Sequence, residues 1–505
     1  MRVRVASAGT GKTTALVARV LQLVDEGVPL RRVAGVTYTR TAAAELRQRT
    51  GEGIAAVLHE GRFLGDLVVP DPAHRPRFEE AARELGGATL ATIHGFLIAA
   101  LRLVAPALAI DPAFVLQGEA EAIAAYEEEV RSLQFLAQER DHPLADVVAR
   151  LGSEALPQAL ALFARRSLAL ELHPADAAAE DLLRLHEAAY ERLARRTGAA
   201  RLAPSEVERA AVRFARTSAL VARVVARYPV VLVDEYQDVN PLQGRLFEAL
   251  EDAGARVEVV GDPKQSIYGF RQADVAVFRR GAVAAAAAGT LDPPLTRTRR
   301  HARRIATFLN HLTGTLGDAG LGFARDEAPD VAPAGPQVAI EGRVELHWWR
   351  DEERGVDALR PAEGAWLGAR LRALHDVEGR PWRSMAVVAR SHAVLERTAR
   401  ALRAAGVPSV VRQGRGYFER PEVRDLVHAV RVAVDPRGAS LAAWLRGPFG
   451  DAGVAFAAEA VRATGQVGAA GGGVGADDGR RCVGRERQGQ REQERPHRGM
   501  FPCFL

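Results

Sequence analysis

The chain has 505 residues, of which 48% are hydrophobic and 26% are charged, and its formal net charge at pH 7 is +5. These values are typical of a soluble globular protein with two to four domains, and they exclude a largely disordered chain. The two cysteines, Cys482 and Cys503, exclude a disulfide framework or a metal cluster built on cysteine. With no signal-peptide pattern and no membrane-length apolar run, we expect a cytoplasmic protein, and the mild positive charge permits a nucleic-acid partner.

The predicted elements begin with strands that alternate with helices. Strand-like runs at residues 3–6 and 33–38 are each followed by a helical pattern, at residues 13–26 and 42–49. This alternation predicts a parallel sheet flanked by helices, which is an α/β fold.

The strand pattern is then interrupted by a long helical stretch. Residues 97–224 are rich in Ala, Leu, Arg and Glu at helical spacing, and strands resume at residues 229–233 and 257–260. We therefore predict a helical subdomain inserted into a split α/β domain.

A second α/β pattern occupies the later part of the chain. It consists of a strand at residues 385–389, a helix at about 392–405 and a short strand at 409–411. Helices are predicted to return from Pro421. Residues 465–499 are Gly-rich and then Arg-, Gln- and Glu-rich, which indicates either a disordered linker or, as we prefer, translation of a shifted reading frame.

Residues 6–13, with the sequence ASAGTGKT, match the phosphate-binding P-loop between a strand and a helix, with Ala6 in place of the first glycine. The glycines allow the backbone N–H groups to face phosphates, the lysine supplies a point charge, and the threonine hydroxyl is suited to Mg²⁺. An ordinary glycine turn before a helix is the alternative. The predicted nucleotide-binding residues are Ala6, Ser7, Ala8, Gly9, Thr10, Gly11, Lys12 and Thr13, with Thr13 also predicted to bind the metal.

The strand at residues 229–233 ends in two carboxylates, Asp234 and Glu235. Parallel sheets place ligands at this end of their strands. We expect Asp234 to hold Mg²⁺ through water and Glu235 to orient and deprotonate an attacking water. A strand that ends in an acid is often only a solvated terminus, but the continuation to Tyr236-Gln237-Asp238 is more specific.

The run GDPKQSIYGFR at residues 261–271 follows another buried strand. Gln265 is a neutral donor that can sense a γ-phosphate. Phe270 and Arg271 can stack on and pair with nucleic acid.

Only two lysines, Lys12 and Lys264, accompany sixty-six arginines, and both lie in these phosphate-handling motifs. The chain uses arginine at its other basic positions. A lysine that remains therefore indicates a position where a compact ammonium group is needed and a planar guanidinium does not fit. Coincidence is the alternative. The sequence assigns Lys264 no direct contact.

Together, these segments resemble the UvrD/Rep-type superfamily 1 DNA helicases. The sequences of three motifs, ASAGTGKT, TIHGF and GDPKQSIYGF, resemble those of the RecB/AddA branch. The resemblance covers roughly residues 3–457. It implies a P-loop NTPase fold with RecA-like parallel sheets in two motor domains and with helical insertions. It also implies the use of ATP and Mg²⁺ and 3′-to-5′ movement on DNA during repair or recombination. Single-stranded DNA and duplex junctions are the implied substrates, and nuclease or recombination proteins are candidate partners.

The resemblance further implies roles for individual residues. Tyr38 and Thr39 lie in a motif that contacts single-stranded DNA. His94 lies in the next such motif, although packing in the core is the commoner role for a histidine of this kind. Arg300 matches an arginine that reaches the γ-phosphate from the second motor domain, and Arg299 replaces an aromatic residue that stacks on the base.

The domain prediction follows from the same resemblance. The predicted parts are the first RecA-like motor domain at 1–96 and 225–290, a helical accessory insertion at 97–224, an incomplete second RecA-like motor domain at 291–420, the start of a second helical accessory domain at 421–459, and an aberrant low-complexity tail at 460–505.

The chain departs from the family pattern in three places. Only five residues precede Ala6, so either the adenine-contacting glutamine motif is absent or the start of the protein has been assigned too late. The aromatic residue of the Arg300 motif is replaced. The family's motifs V and VI, expected beyond the second accessory domain, have no recognisable counterpart in this sequence. Motif VI supplies an arginine at the γ-phosphate, and an arginine finger in related enzymes raises the rate of phosphoryl transfer by roughly 10³–10⁵. Three hypotheses follow from the sequence. The chain is an ATP-driven DNA helicase, or, because motifs V and VI are missing, a truncated remnant that binds ATP and DNA but does not unwind DNA. An unrelated P-loop protein that acts as a switch is the least favoured.

Overall fold

The computed structural model describes residues 1–64, 67–139, 141–164, 177–197, 200–269, 272–320, 329–347 and 356–411. The chain forms two compact units, Met1–Glu345 and Leu346–Leu505. The helices predicted from Pro421 and the predicted low-complexity tail lie outside the described residues. None of the described helices combines the length and apolar character that a membrane crossing requires.

A parallel sheet forms the centre of the first unit. Its strands are β1 (Arg2–Ala6), β2 (Val33–Thr37), β3 (Thr89–Thr92), β6 (Val230–Val233), β7 (Arg256–Gly261) and β8 (Leu291–Leu295). Two short parallel pairs lie outside it, β4 (Val115–Leu116) with β5 (Arg201–Leu202), and β9 (Arg297–Thr298) with β10 (Ala332–Pro333). The order in the main sheet is β3-β2-β6-β7-β1-β8, and all of its neighbouring strands are parallel.

The central strands of this sheet are covered on both faces. Every residue of β2 and β6 is buried, which explains why these strands are apolar runs rather than alternating patterns. Parallel pairing requires a crossover between neighbouring strands, and helices supply it. The predicted α/β fold is therefore confirmed. β8, which begins the range predicted as a second domain, pairs with β1 in this same sheet.

The described residues of the first unit include thirteen helices, which surround the sheet or extend from it. They are α1 (Lys12–Asp25), α2 (Arg40–Glu60), α3 (Arg75–Glu84), α4 (Ile93–Val104), α5 (Glu119–Leu136), α6 (Ala145–Leu151), α7 (Ala155–Ala164), α8 (Ala177–Thr197), α9 (Pro204–Ala215), α10 (Ser218–Arg227), α11 (Pro241–Asp252), α12 (Val275–Ala287) and α13 (Arg303–Asp318). The helices predicted at residues 13–26 and 42–49 are confirmed as α1 and α2, and α2 is longer than predicted.

The predicted helical stretch contains two different packing environments. Residues of α4, α9 and α10 belong to the same apolar core as the central strands, whereas α5 to α8 enclose a separate core. In that second core, Tyr126 stacks on Phe163 with ring centroids 4.1 Å apart, and its hydroxyl lies 2.7 Å from His186 Nδ1. Burial lowers the pKa of His186 to about 4, so the imidazole is neutral at physiological pH.

The second unit contains α14 (Val356–Asp376) and α15 (His392–Ala404), and α15 confirms the helix predicted at about 392–405. The strands predicted at residues 385–389 and 409–411 are wrong, because both segments lack regular structure. Val388 is 93% exposed and Val410 is 73% exposed. A strand needs a neighbour for its backbone hydrogen bonds, and the described part of this unit contains no strand that could be one.

Candidate nucleotide and DNA site

The loop between β1 and α1 has the backbone curl that a P-loop requires. Gly9 has a φ angle of +73° and Gly11 has a φ angle of +90°, a region that residues with a side chain avoid. The Thr10 hydroxyl donates a hydrogen bond to the carbonyl oxygen of Ser7 at 2.7 Å, which closes the loop on itself. The N-terminus of α1 follows directly, and the N–H groups of such a terminus favour an anion.

The two predicted acids lie beside the P-loop lysine. Lys12 Nζ donates a hydrogen bond to Glu235 Oε2 at 2.6 Å, across 223 residues of sequence. Asp234 is 5% exposed at the end of β6, and its Oδ1 accepts the backbone N–H of Glu235 at 2.9 Å. Glu235 has a φ angle of +53°, an unusual value for a residue with a side chain. This conformation accompanies the placement of its carboxylate against Lys12 rather than in solvent.

The acidic cluster of Asp234, Glu235 and Asp238 carries more negative charge than Lys12 neutralises. Burial, and then the neighbouring charge of Glu235, raise the pKa of Asp234 to about 6. The same two causes raise the pKa of Asp238 to about 7, while Lys12 opposes both increases. A cluster of this kind favours an additional cation.

A hard divalent cation fits these residues together with a phosphate. The described residues contain no group of three His, Cys, Asp or Glu side chains that could hold a metal ion without help. Mg²⁺ is commonly bound through one or two carboxylates together with substrate phosphates. The Asp234 carboxylate and the Thr13 hydroxyl, at the start of α1, are the residues that would hold it.

We expect Mg²⁺ to stabilise the nucleotide-bound protein more at pH 8 than at pH 5. Because the pKa of Asp234 is raised to about 6, its carboxyl is largely protonated at pH 5 and cannot serve as a ligand. Between about pH 4 and 7, the carboxyls of Asp234 and Asp238 keep their protons in the folded state but lose them in the unfolded state. These two residues therefore make the free energy of unfolding fall as pH rises through this window.

The measurement is the increase in unfolding temperature that Mg²⁺ causes in the presence of ATP, at both pH values. The variant Asp234→Asn, which cannot ionise, is the control and should show a small increase that does not change with pH. An equal increase at pH 5 and pH 8 in the unaltered protein would contradict the role of Asp234.

Gln265 lies in the turn after β7 and is held within it. Its Nε2 donates a hydrogen bond to Asp262 Oδ2 at 2.7 Å. The Asp262 backbone N–H in turn donates to Gln237 Oε1 at 2.9 Å, and Gln237 Nε2 donates to Glu235 Oε2 at 2.9 Å. Gln237 therefore links the predicted sensor turn to the predicted catalytic acid. The sequence did not assign it this function, although its place inside the DEYQD run was a signal.

The segment around β9 packs directly on the P-loop. The Thr298 hydroxyl donates a hydrogen bond to the carbonyl oxygen of Ala8 at 3.2 Å, and the Arg299 N–H donates to that of Gly9 at 2.9 Å. Arg299 and Arg300 are exposed at this point. The structure therefore places both arginines next to the phosphate loop, while their contact with a nucleotide stays a prediction.

We expect Gly9→Ala to destabilise the protein more than Gly61→Ala. The two glycines have almost the same φ angle, +73° and +74°, so both substitutions have a similar backbone cost of about 1–2 kcal/mol. A Cβ at Gly9 would lie 2.4 Å from Arg300 Cβ and 2.7 Å from Thr298 Oγ1, whereas a Cβ at Gly61 would meet nothing within 4 Å. Urea unfolding of both variants measures the difference. Equal losses would show that the β9 segment does not constrain the P-loop.

Two of the predicted DNA-contacting residues lie at the end of β2. The Thr39 hydroxyl oxygen accepts the N–H of Ala42 at 3.1 Å and caps α2. The ring of Tyr38 stacks on that of Tyr268, with centroids 4.7 Å apart and an interplanar angle of 26°. The sequence did not indicate a role for the aromatic residue Tyr268, although it lies in the run SIYGF.

Of the other three predicted DNA-contacting residues, the structure describes only one. His94 lies in the first turn of α4, with its Nδ1 3.9 Å from Glu208 Oε1. Phe270 and Arg271 lie outside the described residues.

The fold and the site define a P-loop NTPase of the α/β class. The family model of the UvrD/REP helicase N-terminal domain matches residues 3–282, which is more than half of the chain. The chain therefore belongs to the UvrD/REP helicase family, a family of enzymes, and the resemblance found in its motifs is confirmed.

Relatives with assigned names agree with this membership. The chain is similar to the "RecBCD enzyme subunit RecB" of Mycolicibacterium smegmatis, with 27% identity over 468 residues, 85% of this chain and 42% of the relative. It is similar to the "ATP-dependent DNA helicase UvrD2" of Mycobacterium bovis, with 27% identity over 84% of this chain and 55% of the relative. A shorter match, 34% identical over 139 residues, covers 27% of the chain and 10% of an ATP-dependent helicase/nuclease protein of Enterococcus faecalis. The chain spans about half the length of the first two relatives.

Proposed function

We propose that this chain binds and hydrolyses ATP as the motor portion of a DNA helicase of the UvrD/RecB type that moves 3′ to 5′. The observation that carries the proposal is the 2.6 Å pair between Lys12 Nζ and Glu235 Oε2 beside the P-loop. A phosphate-binding cation and a candidate general base thus lie together at the carboxyl ends of parallel strands, where α/β proteins bind ligands.

The residues of the site suggest how the reaction proceeds. Entry of the phosphates draws Lys12 from Glu235, and the freed carboxylate accepts a proton from the attacking water. The water oxygen bonds to the γ-phosphorus while the bond from that phosphorus to the β–γ bridging oxygen breaks, and ADP and phosphate leave. Gln237, which holds Glu235 by a hydrogen bond of 2.9 Å, keeps that carboxylate in place. Mg²⁺ held by Thr13 and, through water, by Asp234 would neutralise charge on the phosphate oxygens.

The aromatic pair supports DNA binding without strong sequence preference. Tyr38 and Tyr268 offer stacking faces, and each base stacked on an aromatic side chain contributes about 1–3 kcal/mol whatever its identity. Because a relative is named as one part of the RecBCD enzyme, we also propose partner proteins, and we propose a cytoplasmic location.

A second candidate function is binding of ATP and DNA without unwinding. It applies if no arginine of the motif VI type reaches the γ-phosphate. Without an arginine of the motif VI type, turnover would be slower by roughly 10³–10⁵.

Hydrolysis of ATP with and without single-stranded DNA separates the two functions. The helicase proposal expects hydrolysis that DNA stimulates and DNA affinity that falls steeply with salt concentration. Binding of ATP and DNA with no stimulated hydrolysis would support the second function. A chain that binds neither would contradict both.

A further inference from the structure

Lys264 has no assigned role, yet its ammonium joins the P-loop and the segment before β10 to the turn that carries it. Lys264 Nζ donates a hydrogen bond to Ser7 Oγ of the P-loop at 3.0 Å and to the carbonyl oxygen of Pro329 at 3.2 Å. Ser7 is 2% exposed, so its hydroxyl is held inside the protein. Three parts of the chain that are distant in sequence therefore meet at one side chain.

The turn that carries Lys264 is fixed by one buried carboxylate. Asp262 is 1% exposed, and its Oδ1 accepts the backbone N–H of Lys264 at 3.1 Å. Its Oδ2 accepts Gln265 Nε2 at 2.7 Å. The positions of Lys264 and of the candidate γ-phosphate sensor are thus set by the same side chain.

The Pro329 side of the contact is anchored as well. Asn310 of α13 holds Val331 by two hydrogen bonds, one of 2.9 Å to its carbonyl oxygen and one of 3.0 Å from its N–H. The next residues form β10, which pairs with β9, and Thr298 of β9 donates to the P-loop carbonyl oxygen of Ala8. The P-loop is therefore held both by β9 and by Lys264, and these two contacts are connected through β10.

A lysine suits this position better than an arginine. Its ammonium is compact and directs three N–H groups from one atom, whereas a guanidinium is planar and needs a wider space. Burial lowers the pKa of Lys264, and the charges of Asp262 and Asp330 oppose that effect. The chain retains a half-buried cation here although it uses arginine almost everywhere else.

We propose that Lys264 is a positioning residue that ties Ser7 of the P-loop to residues 329–331 and thereby orders the P-loop for phosphate binding, without itself touching the nucleotide. The inference rests on the proposed nucleotide-binding function. It accounts for the second lysine of a chain that has only two.

The test is a double-mutant cycle on nucleotide affinity. The dissociation constant of a non-hydrolysable Mg·ATP analogue is measured by calorimetry for the unaltered chain, Lys264→Met, Ser7→Ala and the double variant. We expect each single variant to weaken binding by about tenfold, as for the loss of one charge-assisted hydrogen bond. Because both substitutions remove the same bond, we expect the double variant to be no more than about tenfold weaker than the unaltered chain.

Lys264→Arg distinguishes positioning from a simple charge effect. If Lys264 attracted the phosphates only through its charge, Arg would restore affinity and the two single effects would multiply to about a hundredfold in the double variant. Either result would overturn the proposal. If Lys264→Met does not fold, as judged by thermal unfolding, the same cycle is run with Lys264→Arg, and multiplying effects would again overturn it.

The outcomes also separate this inference from the function on which it rests. An unaltered chain that does not bind the analogue contradicts the nucleotide-binding function itself. An unaltered chain that binds, with effects that multiply, contradicts only the role of Lys264. Affinity for single-stranded DNA, measured without nucleotide, is expected to be the same in all variants.

Discussion

Replacing Lys12 with methionine is expected to weaken binding of Mg·ATP by about 100-fold, near the upper end of what a hydrogen bond to a charged group contributes. In the proposed function, Lys12 contributes the point charge that faces the phosphates at the start of α1. Its removal also leaves Glu235 without the partner that now lies 2.6 Å from its carboxylate, so an unneutralised acid would repel the incoming phosphates. Both effects act in the same direction.

The affinity is measured by calorimetry with a non-hydrolysable ATP analogue. Arg62→Gln is a matched control, because it also removes one positive charge but from an exposed residue outside the site. We expect its affinity to equal that of the unaltered chain within about twofold, as for screened surface charges. Equal affinity in Lys12→Met would show that the loop before α1 does not bind phosphate.

The substitution Glu235→Gln is expected to separate binding from hydrolysis. Glutamine keeps the size of the side chain but cannot accept a proton, so DNA-stimulated hydrolysis should fall by about 10²–10⁴, the usual contribution of a general base. Binding of Mg·ATP should remain, because Lys12 is still present and one negative charge near the phosphates has been removed.

The same substitution has a second consequence that can be checked independently. The charge of Glu235 is, after burial, the next cause that raises the pKa of Asp234. Its removal should therefore lower that pKa and extend Mg²⁺ binding to more acidic solutions. Glu60→Gln, at the exposed end of α2, is the control and should change neither hydrolysis nor this pH dependence. A Glu235→Gln variant that hydrolyses ATP at the normal rate would exclude Glu235 as the base.

Local sequence patterns predicted the parts of the site that depend on neighbouring residues. The glycine spacing predicted the curl of the P-loop, and an apolar run followed by two acids predicted that Asp234 and Glu235 lie at the end of a parallel strand. The curl depends on the conformation of a few adjacent residues, which the glycines permit. The apolar run at residues 230–233 forms a strand because β2 and β7 pair with it, so that prediction also needed the neighbouring strands.

Contacts between segments that are distant in sequence could not be predicted from local sequence patterns. The pair of Lys12 and Glu235 spans 223 residues, and the contact of Lys264 with Ser7 spans 257. These contacts depend on the order of strands in the sheet, which places β1 beside β7 and β7 beside β6. The strand predicted at residues 385–389 was wrong for a related reason, because an apolar run becomes a strand only where a neighbouring strand pairs with it.

Binding of ATP at the P-loop is the claim on which the other conclusions depend, and a calorimetric titration of the unaltered chain with a non-hydrolysable Mg·ATP analogue at pH 8 tests it most directly. We predict saturable binding of one nucleotide per chain that is lost in Lys12→Met. A titration of the folded, unaltered chain that shows no binding, or binding that Lys12→Met leaves unchanged, would contradict it.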